Sequence, residues 1–136
     1  MTTTVERDLS QPMRHLIHVR DHLIAADAPV AQGGRDAGPS PHDLYDAALG
    51  ACIALTVVWF AKRRDIPVGP VQVRIDRDES AERAGVYRMA AVVTLGGSLS
   101  DAQRMELLAA ASKCPVHKLM TEARTEITTT LAQDWP

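Results

Sequence analysis

The sequence predicts a single α+β domain in which antiparallel strands pack on one long buried helix. Three observations predict it. Residues 47–61 are an almost unbroken run of apolar or small side chains, so a helix there has no wet face. Stretches 71–76 and 86–95 carry strand patterns and flank a polar turn, as a hairpin does. The chain has 136 residues, the length of one ordinary domain, with no repeat, low-complexity tract or linker dividing it.

Residues 1–12 are polar and Thr-rich and read as a flexible N-terminal arm, leaving 13–136 as the domain. In 13–25, Met13, His15, Ile17 and Val19 alternate with Arg14, Leu16, His18 and Arg20, which predicts two short strands. Residues 27–39 hold Pro29, Gly33, Gly34, Gly38 and Pro39 and read as loop. The long helix starts at Ser40 as N-cap, with Pro41 in the first helical position and Asp43 where a capping-box acid belongs. Its acids come first (Asp43, Asp46) and its bases last (Lys62, Arg63, Arg64), as the helix dipole favours. The apolar run falls short of the ~20 residues a bilayer needs, so no membrane span is expected. Val71, Val73 and Ile75 mark one face of the first hairpin strand, and Gly96-Gly97 ends the second. Ser100 with Gln103 forms a second capping box, opening a helix to about Lys113. Cys114-Pro115 breaks that helix and starts a short one over 115–123 with Cys114 as its cap. A last strand is predicted over 126–131, where Ile127, Thr129 and Leu131 share a face. The order is β-β-α-β-β-α-α-β. One thin sheet covers only one side of the apolar helix. The simplest cover for the other side is a second copy across a two-fold axis, hence a homodimer.

Net charge is −2, hydrophobic residues make up 46% and charged ones 24%, the balance of a soluble globular chain. There is no long basic run and no set of stacking aromatics, which argues against a nucleic-acid partner. No charged-then-apolar leader opens the chain, and the expected location is cytoplasmic. In a reduced compartment its two cysteines form no structural disulfide; if paired, they are redox-active.

Cys52 and Cys114 belong to no CxxC, so neither a zinc ribbon nor a thioredoxin-type motif applies. Free cysteine is among the most buried residue types, so each has a space-filling reading. Local physics makes Cys114 the more acidic thiol, because helix N-terminal amides stabilise a thiolate and His117 adds positive charge one turn on. Cys52 lies about three turns inside its helix, beyond the reach of the dipole, and needs a cation; Tyr45 shares nearly the same face. His15, His18 and His22 are scattered by strand and turn, and Cys114-x-x-His117 offers only two ligands, so no metal site is expected.

The segments GGRDAGPSPHDLYDAALGACIALTV and LGGSLSDAQRMELLAAASKCPVHKLM resemble the OsmC/Ohr family, the osmotically inducible and organic-hydroperoxide-resistance proteins. SPxxLxxAALGAC and CPVHK carry the resemblance, which extends over about 22–131 and is nearer the general OsmC-like branch than Ohr proper. It implies an OsmC-like fold, an intertwined homodimer with long helices packed centrally and two sites at the interface. It also implies a thiol-dependent peroxidase in which Cys52 attacks the peroxide and Cys114 resolves the sulfenic acid into a disulfide, overriding the local preference for Cys114 as attacking thiol. An apolar pocket would take organic hydroperoxides, those of fatty acids included. No metal or flavin cofactor is needed; an external dithiol or lipoyl-type reductant restores the thiols. The resemblance also calls for an arginine, for which Arg35 is the first candidate and Arg20 the second, and for an acid. Where family members carry a Glu ten residues before the attacking cysteine, this chain has His42; Asp43 follows, as site acid or helix cap. The alternative is a non-catalytic protein of the same fold that binds a small hydrophobic ligand at the dimer interface, which would have no need of Cys114.

Overall fold

The computed structural model describes residues 1–135. Three strands open the chain, β1 (Thr3–Arg7), β2 (His15–Val19) and β3 (His22–Ala26), in one antiparallel sheet of that order. β2 and β3 are the strand pair that the alternation marks. β1 lies within the stretch expected to be a flexible arm, and differs from that expectation: it pairs with β2 along its whole length, Val5 opposite Ile17. Every β1 residue is exposed, so ladder bonds rather than burial hold it, and a polar strand of this kind leaves no periodic signal. The turn behind it is fixed by Asp8, whose carboxylate accepts from Ser10 and from the Arg14 guanidinium.

The loop that follows contains a single 3-10 turn, Val30–Gln32. Buried Asp27 organises it, accepting the backbone N–H groups of Ala28 (2.8 Å), Arg35 (3.3 Å) and Ala37 (2.9 Å). The Ala37 amide foremost holds this carboxyl below the usual range, against the desolvation that opposes it. A side chain at Gly34 would meet the Ala28 carbonyl oxygen at 1.9 Å, so the loop closes only over glycine.

Helix α1 (Pro41–Arg63) begins with the expected capping box: Asp43 N–H donates to Ser40 Oγ (3.2 Å) and Ser40 N–H to Asp43 Oδ2 (2.9 Å). It ends in a Schellman arrangement. Asp65 takes a left-handed φ of 53°, and Ile66 N–H donates to Ala61 O (2.9 Å). The apolar run is the middle of a 23-residue helix, which by length and composition alone is long and apolar enough to cross a bilayer. In this fold that apolarity has a use: Leu49, Ile53, Val57 and Ala61, four residues apart, form the stripe that builds the core. Leu55 and Trp59 on the opposite face are 71% and 58% exposed. The helix is therefore not buried on every side within one chain.

Strands β4 (Val71–Asp78) and β5 (Arg88–Leu95) form the predicted hairpin, paired from Val71–Leu95 to Asp78–Arg88. The expected single sheet is thus two, one of three strands and one of two. The two-stranded sheet packs on α1 through Val71, Val73, Ile75 and Val93. The approach is close at Gly50, where a Cβ would sit 3.3 Å from Ile75 Cγ1. Helices α2 (Asp101–Ala111) and α3 (Pro115–Thr121) complete the core; Ser100 and Gln103 make the second capping box, and Leu107, Ala110 and Ala111 are the buried face of α2. The strand expected at 126–131 is not formed. Residues 123–132 carry no regular structure, and Ile127 and Leu131 are exposed. Alternation marks a face, but a strand also needs a ladder partner, and among the described residues no strand pairs with this segment.

Candidate functional site

Cys52 and Cys114, 62 residues apart in sequence, meet in the core between α1 and the α2–α3 corner. The break at Cys114-Pro115 does the positioning. Cys114 caps α3 with Sγ accepting the His117 N–H at 3.4 Å, and its side chain is fully buried. Cys52 is half-buried and packs against the core cluster that holds Cys114. Burial opposes ionisation of Cys52, but three groups more than offset it: the Cys114 thiol, the Val116 backbone N–H and the Thr56 hydroxyl. Together they hold the Cys52 thiol below its ordinary value. For Cys114, burial and then the bond to Cys52 push the thiol up, outweighing the His117 amide. The α3 N-terminus does not serve its cap Cys114 alone. In the fold the Val116 amide also serves Cys52.

Cys52 stands in the wall of an open cavity of about 760 Å³. Leu55, Trp59, Phe60 and Ala110 make the lining mainly apolar, and Lys113 is its one basic residue. The volume and lining suit a small organic ligand. Thr56 and Lys113 are functional candidates that the sequence reading missed. Thr56 was readable, since four residues after Cys52 on a helix places it on the same face. Lys113 was not, because only the turn into α3 brings it to the cavity.

The other sequence candidates lie elsewhere within the chain. Asp43 caps α1 and pairs with Arg77 Nη1 at 2.8 Å. Nine residues before Cys52, it is roughly 14 Å away along the helix axis. Arg35 is exposed on the 27–39 loop with its backbone N–H tied to Asp27, and Arg20 is exposed in the β2–β3 turn at φ 52°. Tyr45 stacks edge-on against Tyr87, centroids 5.7 Å apart, away from the thiols. Arg77 was weighed by no sequence argument, yet it shares the inward face of β4 with Val71, Val73 and Ile75. It pairs with Asp46 Oδ2 (2.9 Å), and Asp46 Oδ1 accepts from Tyr87 Oη (2.6 Å). Two thiols alone make a poor metal site. A second donor set, His42 with Glu79 and Glu82, lies at the start of α1.

A thiol held low beside a second thiol, in the wall of an apolar cavity, can attack an electrophilic oxygen and then close to a disulfide. Comparison with known proteins agrees with the fold that carries this pair. The family model described as OsmC-like protein matches residues 33–130. Among solved structures, a putative osmotic stress induced and detoxification response protein from Psychrobacter arcticus superposes with TM-score 0.75 at 22% identity, over 90% of this chain and 89% of that one. An organic hydroperoxide resistance protein OsmC from Legionella pneumophila does so with TM-score 0.63 at 17% identity, over 90% of both chains. The organic hydroperoxide resistance protein OhrB of Bacillus subtilis gives TM-score 0.59 at 20% identity, over 89% of this chain and 90% of that one. A comparison with curated proteins gives no match. The family match spans well over half the sequence and includes both cysteines, and the chain therefore belongs to the OsmC-like protein family.

Proposed function

We propose that this chain is a thiol-dependent peroxidase that reduces organic hydroperoxides to alcohols. The observation that carries the reading is the Cys52 thiol, packed in the core cluster with Cys114 in the wall of an apolar cavity and held below its ordinary value by the Cys114 thiol, the Val116 amide and the Thr56 hydroxyl. The Cys52 thiolate attacks the outer oxygen of ROOH; the O–O bond breaks, RO⁻ leaves and takes up a proton, and Cys52 becomes the sulfenic acid. The Cys114 sulfur then attacks Cys52 Sγ, forming the disulfide; its proton leaves with the hydroxyl as water. An external dithiol, of lipoyl type or otherwise, returns the pair to thiols by two exchanges and ends as a disulfide itself. Each turnover converts one peroxide and one dithiol into an alcohol, water and a disulfide. Neither a metal nor a flavin is required. Hydroperoxides with long hydrocarbon tails, those of fatty acids included, match the lining better than hydrogen peroxide. The proposed setting is the cytoplasm.

The active unit in this reading is a homodimer. Leu55 and Trp59 leave one face of α1 uncovered, and the three-stranded sheet lies apart from the core that α1 builds. A second copy would cover both. In this reading the second copy would have to bring the acid and arginine that the family resemblance calls for, Asp43 and Arg35, to Cys52.

The test is consumption of cumene or tert-butyl hydroperoxide by purified protein with dithiothreitol, compared with hydrogen peroxide. Wild type should consume the organic peroxides faster, and Cys52→Ser should consume none. Lack of turnover by wild type would overturn the enzymatic reading and leave the cavity as a binding site for a small hydrophobic ligand.

A further inference from the structure

The first turn of α1 and the β4–β5 turn bring together three donors that the thiol chemistry does not use. His42 Nε2 and one carboxylate oxygen each of Glu79 and Glu82 all lie within 4.8 Å of one another. They come from two segments some 40 residues apart, and local structure fixes each. His42 is in the capped first turn of α1, with its ring 6.0 Å from that of Tyr87. Glu82 N–H donates to Glu79 O at 3.1 Å and Gly85 N–H to Glu82 O at 2.9 Å, so a closed turn sets the two acids relative to each other. His42 Nε2 already lies 2.7 Å from Glu82 Oε1.

Charge points to a cation here. Asp43, Asp46 and Glu79 all pair with the one guanidinium of Arg77, which leaves Glu82 with only the imidazole of His42. Glu79 is the most weakly held of the three, at 3.5 Å. The local surplus of carboxylate is what a divalent ion would neutralise. The mixed set selects among ions: Mg²⁺ and Ca²⁺ prefer all-oxygen shells, whereas an imidazole with carboxylates suits the borderline transition cations. His42 and Glu82 also line a cavity of about 370 Å³ together with Tyr45 and Tyr87.

We propose that His42, Glu79 and Glu82 form a binding site for a borderline divalent transition cation, Zn²⁺ or a similar ion, which ties the start of α1 to the β4–β5 turn. Within one chain the site lies about 15 Å from the thiol pair along α1. Binding to the folded chain alone raises its stability by mass action.

The test uses the reduced full-length protein and two probes. Co²⁺ titration followed by absorption is expected to saturate near one equivalent per chain with weak d–d bands and no thiolate-to-metal charge-transfer band. Zn²⁺ is expected to raise the thermal midpoint. His42→Ala, and separately Glu82→Gln, should lose both responses while keeping the wild-type circular dichroism spectrum. Absence of saturable binding, a thiolate charge-transfer band marking the cysteines as the ligands, or undiminished binding by His42→Ala would each overturn the site.

Discussion

Leu107 is fully buried on the face of α2 that packs against α1, beside Val57, Ala61 and Cys114, and Leu107→Ala tests whether that contact holds the thiol corner in place. The substitution removes three side-chain carbons. At about 0.8 kcal/mol for each buried methylene, the transfer loss is about 2.4 kcal/mol. The cavity left behind adds to this, and Leu→Ala changes in cores span about 2–5 kcal/mol in total. Two helices flank the site, and neither can close the gap without moving its capped start or the Cys114 turn. The expected loss is therefore about 3–4 kcal/mol. Urea unfolding followed by circular dichroism measures it, at one fixed protein concentration because self-association would add to apparent stability. With slopes of about 1–3 kcal/mol per molar urea, the midpoint should fall by about 1 M or more. A loss below about 1 kcal/mol with an unchanged slope would refute the reasoning, because it would mean that α2 is not anchored on α1 through Leu107.

Thr56→Val removes one of the three groups that hold the Cys52 thiol low, so the thiol should move up toward its ordinary value. At a fixed pH below that value the thiolate fraction falls, and the pH profile of Cys52 alkylation should shift to higher pH; an unshifted profile would remove Thr56 from the site. Arg77→Met leaves the largely buried Asp46 carboxylate with Tyr87 as its remaining partner, so folding stability should fall by about 1–3 kcal/mol in chemical denaturation. A change within about 0.5 kcal/mol would reduce the Arg77 pairs to solvated surface contacts.

Much of this fold is legible in the chain because its signals are local. Ser40 with Asp43 and Ser100 with Gln103 write capping boxes into four residues each, and both form. Cys114-Pro115 predicts a helix break and a cap, and Sγ of Cys114 is that cap. Alternation at Val71, Val73 and Ile75 fixes which face of β4 meets the helix. Two elements fail for the same reason in opposite directions. β1 lacks a pattern but finds a ladder partner in β2, while 126–131 has the pattern but finds none among the described residues. Strand formation depends on a neighbour, and neighbours are not encoded in a single segment.

The candidate site divides along the same line. Sequence alone determined that one thiol rides on an apolar helix and the other caps a short helix behind a proline, since both follow from residues within a turn or two. Only the tertiary structure decided which thiol is the more acidic. Proton affinity follows the balance of desolvation against converging donors, and the donors at Cys52 come from α1 itself, from the α3 N-terminus and from the other cysteine. Three-dimensional packing likewise set Lys113 at the cavity, put Arg77 rather than Arg35 beside Asp43, and gathered His42, Glu79 and Glu82 at the start of α1. Electrostatic and hydrogen-bond energies depend on distances in space, and a linear sequence fixes those only across the few residues of one turn.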